Sequence, residues 1–530
     1  MTQGERRIAM FPNGVIRIPP SKSVAHRMLI CAALADGASQ IGNISMSQDI
    51  EATIRCLRAL GAEIAEIAEI EEAGGGAGSA PDCAPAGRRT LAVRGSGAPD
   101  CAPDCEPAGR RILAVRGGGA SVCEPAGGQA AALDCGRAAA MDCGQAATLG
   151  YGQAAALSCG RAAATDCGEV AALDCGEAAA TGRRQAAVLD CGESGSTLRF
   201  LIPVAALLPG GALFTGHGRL MERPLGPYAS ALGEHGAAIA ADAAGVGGIS
   251  VRGGLKAGAF RLPGDVSSQF VSGLLLALPL LGGDSEIAME SPLQSAGYVD
   301  LTIDALAGFG VGIERDGYAR FFVRGGQRYR PQRACEVEAD FSQAAYYLVA
   351  GALGCECECA GLPMASKQGD RAIVQILERS GATVERTPNG GLAARAPKGR
   401  LLPQTVDASG IPDLVPPLAA LFSFCDGQSR IANAGRLRHK ESDRLASVAS
   451  ELRALGASIS QEGDSLLISG ARSLKGGRAK SWGDHRIAMM AAVAAIGCEG
   501  AVTLSGGECV AKSYPGFWED FGRAPRQRRM

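Results

Sequence analysis

The ten residues Arg436 to Leu445, RLRHKESDRL, hold Arg436, Arg438, His439, Lys440, Glu441, Asp443 and Arg444. Charge runs are commonly solvated helix faces, so a chemical role needs company elsewhere in the chain. PPSKSVAHR places Lys22, Ser23 and Arg27 at a helix start, and GESGSTLR does the same for Gly195 and Arg199. MERPLG sets Arg223 before a Pro-started helix, GDVSSQF sets Ser267, Ser268 and Gln269 before another, and SWGDHR sets Asp484, His485 and Arg486 before a third. Helix starts favour acids, so repeated cations there oppose the helix dipole. A bound polyanion resolves the conflict. Arg grips phosphate or carboxylate bidentately, Lys adds a point charge, and free backbone N–H groups face the same anion. The acids are fewer. Asp413 lies in the apolar run ASGIPDLVPPLAAL, where helix capping is the structural alternative, and Glu441 follows Lys440 directly. A carboxylate among cations stays ionised, so proton donation by Glu441 requires a local arrangement of its own.

The elements that must position these groups form a long repeat. Leu-x-x-x-Gly-(Ala/Val)-x-(Ile/Val) occurs with its Gly at 61, 236, 310, 381 and 456. Each copy reads as a helix end, a left-handed Gly cap and then a strand. The spacings are 175, 74, 71 and 75, so the first holds one extra period plus about 102 residues. From the end of RLRHKESDRL onward, the apolar Leu445, Val448, Leu452 and Leu455 mark a following helix, with Lys440 and Arg444 one turn apart and pointing the same way.

The excess falls on a biased tract. PDCAPAGRRTLAVRGSG from Pro81 recurs as PDCEPAGRRILAVRGGG from Pro103, and octapeptides such as QAAALDCG run from Gln129 to Gly192. A Gly every eighth residue fits neither a helix nor a heptad, and Ala-rich copies offer little surface to offset ordering entropy. Residues 73–189 therefore read as a low-complexity insertion, with short strands or turns possible in RTLAVRG. An eight-residue β-solenoid is the sharper alternative. The insertion leaves an enzyme of roughly 430 residues built from α/β modules.

Composition excludes several classes. A net charge of −2 and 4% aromatics give no footprint for nucleic acid. The N-terminus lacks a signal-peptide core, and the longest apolar runs are too short to span a bilayer, so a cytoplasmic protein without membrane association is expected. Ten of the 19 Cys lie between Cys83 and Cys191. Cys355, Cys357 and Cys359 alternate as on one strand face, which reads as core rather than metal site, because no His or CxxC completes a ligand set. Neither a Gly-x-Gly-x-x-Gly turn nor a Walker loop supports nucleotide binding.

Together, PPSKSVAHR, GESGSTLR, ERPL, SSQF, SAGYVDLT, ASGIPDL, RHKESDRL, GDHRIAMM and VAKSYPGFWEDF occur in family order, and the chain resembles the 5-enolpyruvylshikimate-3-phosphate synthases (3-phosphoshikimate 1-carboxyvinyltransferases). The resemblance implies an α/β fold, the inside-out α/β prism, with two domains of repeated βαβαββ units: residues 1–20 plus 338–530, and residues 21–337. It implies enolpyruvyl transfer from phosphoenolpyruvate to the 5-hydroxyl of shikimate 3-phosphate, releasing phosphate by way of a tetrahedral intermediate. No cofactor and no metal are required, and the expected state is a monomer. By matching motif positions, Asp413 resembles the base and Glu441 the group protonating the vinyl carbon, with Lys22 assisting. Lys22, Ser23, Arg27, Ser267, Ser268, Gln269, Ser295, Tyr298, Asp413 and Lys440 match the shikimate 3-phosphate site. Lys22, Gly195, Arg199, Arg223, Gln269, Arg444, His485, Arg486 and Lys512 match the phosphoenolpyruvate site. Two departures stand out. Glu193-Ser194-Gly195-Ser196 replaces a common Asn-Ala-Gly-Thr, and Arg436 stands where some members place a substrate-binding Asn, so no role is carried over to it. The rival is UDP-N-acetylglucosamine enolpyruvyl transferase, disfavoured by Ser23, SSQF and KESDRL. A non-catalytic protein of the same fold is disfavoured by the joint presence of Asp413, Glu441 and Lys512.

Overall fold

All five repeat glycines adopt the left-handed conformation, with φ of 100°, 88°, 80°, 89° and 100° at Gly61, Gly236, Gly310, Gly381 and Gly456. Each stops a helix and turns the chain into a strand, a conformation that costs a Cβ-bearing residue about 1 kcal/mol or more. The computed structural model describes residues 4–67, 88–96, 186–241 and 247–522.

The helices alternate along the chain between fully buried and half-buried. In chain order they begin with α1 (Lys22–Leu34), α2 (Gln48–Ala59), α3 (Gly195–Ala205), α4 (Gly226–Gly233), α5 (Ser268–Ala277) and α6 (Ala296–Gly308). They continue with α7 (Phe341–Ala352), α8 (Ile373–Arg379), α9 (Val415–Phe422), α10 (Arg444–Ala454), α11 (His485–Ala494) and α12 (Phe517–Phe521). Every residue of α7, α9 and α11 is buried, and these three pack on one another. Helices α3 and α5 are nearly as enclosed and also pack together. Beyond their first turns such helices are largely apolar on every side, because they face neighbours in every direction. The sheets lie outside them. Their strands alternate, as in the buried and exposed residues of Gln428–Ala432, so one face meets the helices and the other meets solvent.

One unit recurs. Ala187–Asp190 pairs parallel with Ala212–Thr215 across α3, then α4 leads into the antiparallel hairpin Ala238–Ala241 and Ile249–Arg252. The same order appears from Ala259, with parallel pairing to Ser285–Met289, and from Thr405, with parallel pairing to Gln428–Ala432. The N-terminal strands serve the far end of the chain: Glu5–Ile8 pairs with Val502–Ser505, and Gly14–Arg17 with Cys357–Ala360. Conversely, Cys335–Glu336 pairs with Asp36–Ser45. Two hydrophobic cores result. One gathers Ile8, Ile16 and Ile18 with residues from Ala339 to Phe521, and the other runs from Ala25 to Val337. Near residues 19–21 and 338–340 the chain crosses between them twice, side by side, with Ser21 N donating to Glu338 O and Asp340 N to Pro19 O. Cys357 and Cys359 are buried in the first core and Cys355 packs against it, as the alternation requires.

Two expectations need correction. Arg88–Ser96, inside the supposed insertion, is a strand between Asp36–Ser45 and Glu63–Ile67, with Leu91 and Val93 buried. Ala187–Leu189 likewise belongs to a sheet, as the last copy of the octapeptide. The short strand allowed in RTLAVRG is present, but as part of a sheet and not of an insertion; RRTLAVRGS and VLDCG alternate weakly, and only their neighbours reveal them as core. Residues 97–185, with the solenoid alternative, lie outside the described residues. The second correction concerns Lys440. Helix α10 starts at Arg444, capped by Asp443, and Lys440 precedes it, so the two are not one helical turn apart.

Candidate active site

The buried helices aim their N-termini at one cleft. It is lined from the starts of α1 (Lys22, Ser23, Arg27), α3 (Gly195, Ser196, Arg199), α5 (Ser267, Ser268, Gln269), α10 (Lys440, Glu441, Arg444) and α11 (His485, Arg486). Arg223, Ser295, Tyr298 and Asp413 complete the residues expected from sequence, and the cleft has a volume of about 1100 Å³ including its open mouth. Local caps set these starts. Ser194 accepts from Thr197 N at 3.2 Å, Ser267 from Gln269 N at 3.3 Å and Asp484 from Arg486 N at 2.9 Å. Under α3, a buried chain of hydroxyls joins Ser194, Thr197 and Thr53 to His26, with steps of 2.6 to 2.7 Å. It fixes the Gly195 loop against α1 and α2.

Asp413 sits in a 3-10 turn before α9. Its carboxylate accepts from Arg444 at 3.0 Å, Arg486 at 2.8 Å and Tyr298 at 3.1 Å, with Lys440 Nζ at 3.9 Å. Burial would raise its pKa, but Arg486, Lys440 and Arg444 overcome this and hold it far below the usual carboxylate range. Glu441 accepts from Arg444 at 2.6 Å and lies 3.5 Å from Arg223. Burial again opposes ionisation, and the cations Arg223 and Arg444 prevail, with Lys440 adding to them, so Glu441 is also held charged. Both acids are therefore held ionised by their neighbouring cations. Arg444, 1% exposed, bridges Asp413, Glu441 and Asp484.

Among the described residues, Arg27 and Arg199 have no acid within 4.0 Å. Arg27 is buried, and its guanidinium donates to Thr302 Oγ1, Ser23 O, Ser272 Oγ and Tyr298 O. No carboxylate lies within 4.0 Å of it among the described residues, and burial lowers its pKa to about 10. Arg199 donates to Gln269 Oε1 at 2.8 Å, and burial with the neighbouring Arg223 lowers its pKa to about 10. Nε of both Arg199 and Arg223 is buried without a partner. His485 is buried with both ring nitrogens unpartnered, and burial, Lys22 and Arg486 keep it neutral. In all, eight Lys and Arg side chains line the cleft against four carboxylates, an excess of four positive charges in a chain whose net charge is −2.

One expected residue lies elsewhere. Lys512 does not line the cleft; it ion-pairs with Glu193 and donates to Gly483 O at 2.8 Å. Several lining residues escaped the sequence reading. Asp49 pairs with Lys22 at 2.5 Å, and Arg436 donates to Ser295 Oγ at 2.6 Å and Ser409 O at 2.9 Å. Asp340 caps α7, and Gln343 follows it. Asp340 caps its helix as Ser267 caps α5 one repeat earlier, a correspondence visible in the helix starts and not in the sequences of the two segments.

A family model described as EPSP synthase (3-phosphoshikimate 1-carboxyvinyltransferase) matches residues 11–97 and 165–521. The chain belongs to the EPSP synthase family. The family match excludes much of the biased tract but retains the strand Arg88–Ser96, in accord with its place in a sheet. Among relatives, the 3-phosphoshikimate 1-carboxyvinyltransferase of Clostridium kluyveri is 38% identical over 508 residues, covering 96% of this chain and 94% of its own. That of Clostridium acetobutylicum is 36% identical over 507 residues, with the same coverage. In structure, the chain is similar to EPSP synthase from Acinetobacter baumannii, with TM-score 0.63 and 23% identity over 98% of this chain and 97% of that one. It is also similar to the enolpyruvyl transferase NikO from Streptomyces tendae, with TM-score 0.62 and 16% identity over 98% and 96%. These likenesses show the EPSP synthase fold, the two-domain inside-out α/β prism.

Proposed function

We propose that the cleft transfers the enolpyruvyl group of phosphoenolpyruvate to the 5-hydroxyl of shikimate 3-phosphate. The excess of four positive charges carries this reading, because the two substrates bring two phosphates and two carboxylates. Arg27, Ser23, Ser267, Ser268, Ser295, Tyr298 and Lys440 hold the acceptor. Arg199, Arg223, Arg444, Arg486, Gln269, His485 and the Gly195 loop hold the donor, with Lys22 between the two and Lys512 tied to Glu193 outside the cleft lining.

Binding changes the acids. Substrate anions draw Lys440, Arg223 and Arg444 away from Asp413 and Glu441, which raises both pKa values toward useful ranges. Asp413 takes the proton of the 5-hydroxyl as its oxygen bonds to C2 of phosphoenolpyruvate. Glu441, protonated in the liganded cleft, delivers a proton to C3. The tetrahedral adduct then loses a C3 proton and expels phosphate, regenerating the C=C bond. Each step uses an acid, a base and charged groups that line the cleft.

We further propose domains of residues 1–20 plus 338–530 and of 21–337, supported by the two cores and the paired crossings at residues 19–21 and 338–340. Substrates would draw the halves together through these hinges. A cytoplasmic monomer fits a cleft furnished by one chain and cysteines that are free among the described residues.

Phosphate release from phosphoenolpyruvate tests the reading, with shikimate 3-phosphate or UDP-N-acetylglucosamine as acceptor. Release with the first alone is expected; release with the sugar nucleotide alone would overturn the acceptor assignment. Asp413→Asn should lower kcat by about 100-fold or more, with smaller effects on substrate affinity.

A further inference from the structure

Asp370 is a buried carboxylate that the mechanism above does not use. It lies on the 3-10 turn Gly369–Ala372 and is 2% exposed. Its Oδ2 contacts Ser342 Oγ and stands 3.5 Å from Tyr298 OH. The same phenol donates to Asp413 Oδ2 at 3.1 Å. Tyr298 thus stands between two carboxylates with a single proton to give.

The other buried acids are compensated. Asp340 accepts from Ser342 N and Gln343 N. Glu451 accepts from Lys480 N and Trp482 Nε1. Asp484 holds Arg444 and Arg486 N. Among the described residues Asp370 has neither a backbone donor nor a cation within 4.0 Å, its partners being Tyr298 and Ser342, and its Oδ1 is buried without a partner. An ionised carboxylate in such a place is costly, and the neutral acid is favoured.

We propose that Asp370 is a positioning residue for the acceptor site: a neutral carboxylic acid that keeps the Tyr298 phenol proton directed at Asp413. The inference rests on Asp413 as the base. With its own proton, Asp370 leaves Tyr298 free to donate to Asp413. Once ionised, it competes for the phenol proton and adds a negative charge beside the phosphorylated acceptor. Burial is the largest cause raising its pKa, to about 7, with Asp413 next and Asp340 adding to it, against Ser342 and Arg486. The groups facing it are therefore Tyr298 on α6, Asp340 and Ser342 at the start of α7, Asp413 before α9 and Arg486 on α11.

The test compares wild type with Asp370→Asn, whose amide mimics the neutral acid, and with Asp370→Ala. Infrared difference spectra between wild type and Asp370→Asn at pH 6 should show a protonated-carboxyl C=O band that disappears by pH 8.5. The alkaline fall of kcat/KM for shikimate 3-phosphate should begin near pH 7 in wild type and move up by about one pH unit in Asp370→Asn, toward the Lys440 titration. Asp370→Asn should keep kcat at pH 6 within about twofold, and Asp370→Ala should lose about tenfold. If Asp370→Ala does not fold, Tyr298→Phe serves instead. It should cost a similar factor and make added Asp370→Asn silent. Absence of the carboxyl band, an unchanged pH profile in Asp370→Asn, or an undiminished effect of Asp370→Asn in the Tyr298→Phe background would each overturn the inference. Wild-type turnover in Asp413→Asn would overturn the base assignment separately.

Discussion

At the residue scale, the cleft is built from charges that compensate one another until substrate arrives. Arg444 holds Asp413, Glu441 and Asp484 at once, so an anion that recruits it frees both proposed proton carriers. Gly195 shows how tightly the cations are placed. A Cβ there would lie 2.5 Å from Arg223 Nη1, inside contact distance. Gly195→Ala should displace that guanidinium and raise KM for phosphoenolpyruvate about tenfold, with a much smaller change for the acceptor, as steady-state kinetics will show. Lys440 supplies a pH-dependent element. Burial lowers its pKa to about 8 despite Asp413, so the free enzyme loses this positive charge as pH rises through that value. Beyond the fall that begins near pH 7 with Asp370, acceptor kcat/KM should drop further above pH 8, and Lys440→Arg, which keeps its charge, should flatten that second, upper fall wherever it retains activity.

At the element scale, the strand Arg88–Ser96 decides where the biased tract can be cut. It is the central partner of Asp36–Ser45 and Glu63–Ile67, and Leu91 is 3% exposed. Leu91→Ala should cost about 2–4 kcal/mol in urea unfolding. A surface insertion would yield almost nothing. Replacing residues 97–184 with a short Gly–Ser linker spares both flanking strands and should preserve activity. Removing 73–189 takes both strands and should abolish soluble, active protein. The glycine-capped helix ends act at this scale as well, since each returns the chain to the sheet that holds the next helix start at the cleft.

At the scale of the whole molecule, two cores meet the solvent-facing cleft with an excess of positive charge drawn from both. Concentrating like charges costs stability, and bound anions should restore it. Inorganic phosphate should therefore raise Tm more than chloride at equal ionic strength. Phosphoenolpyruvate and shikimate 3-phosphate together should raise it further. An identical response to phosphate and chloride would contradict specific anion sites.

The sequence alone determined features that arise within a few residues. Left-handed glycines, helix starts capped by Ser or Asp, and the cations placed there are local, so short motifs disclose them. The cations and hydroxyls expected at helix starts line the cleft for that reason, whereas Ser295 and Tyr298, which line it too, were reached only through the family resemblance. The tertiary structure decided what depends on distant partners. Whether RRTLAVRGS is a core strand or a duplicated surface tract turns on two strands far from it in sequence. Lys512 leaves the cleft because Glu193, more than three hundred residues away, offers a nearer charge. Arg436 and Asp49 enter it only because Ser295 and Lys22 are brought alongside. Strand pairing and ion pairing join groups whose sequence separation carries no periodic signal, so only folding assigns their partners.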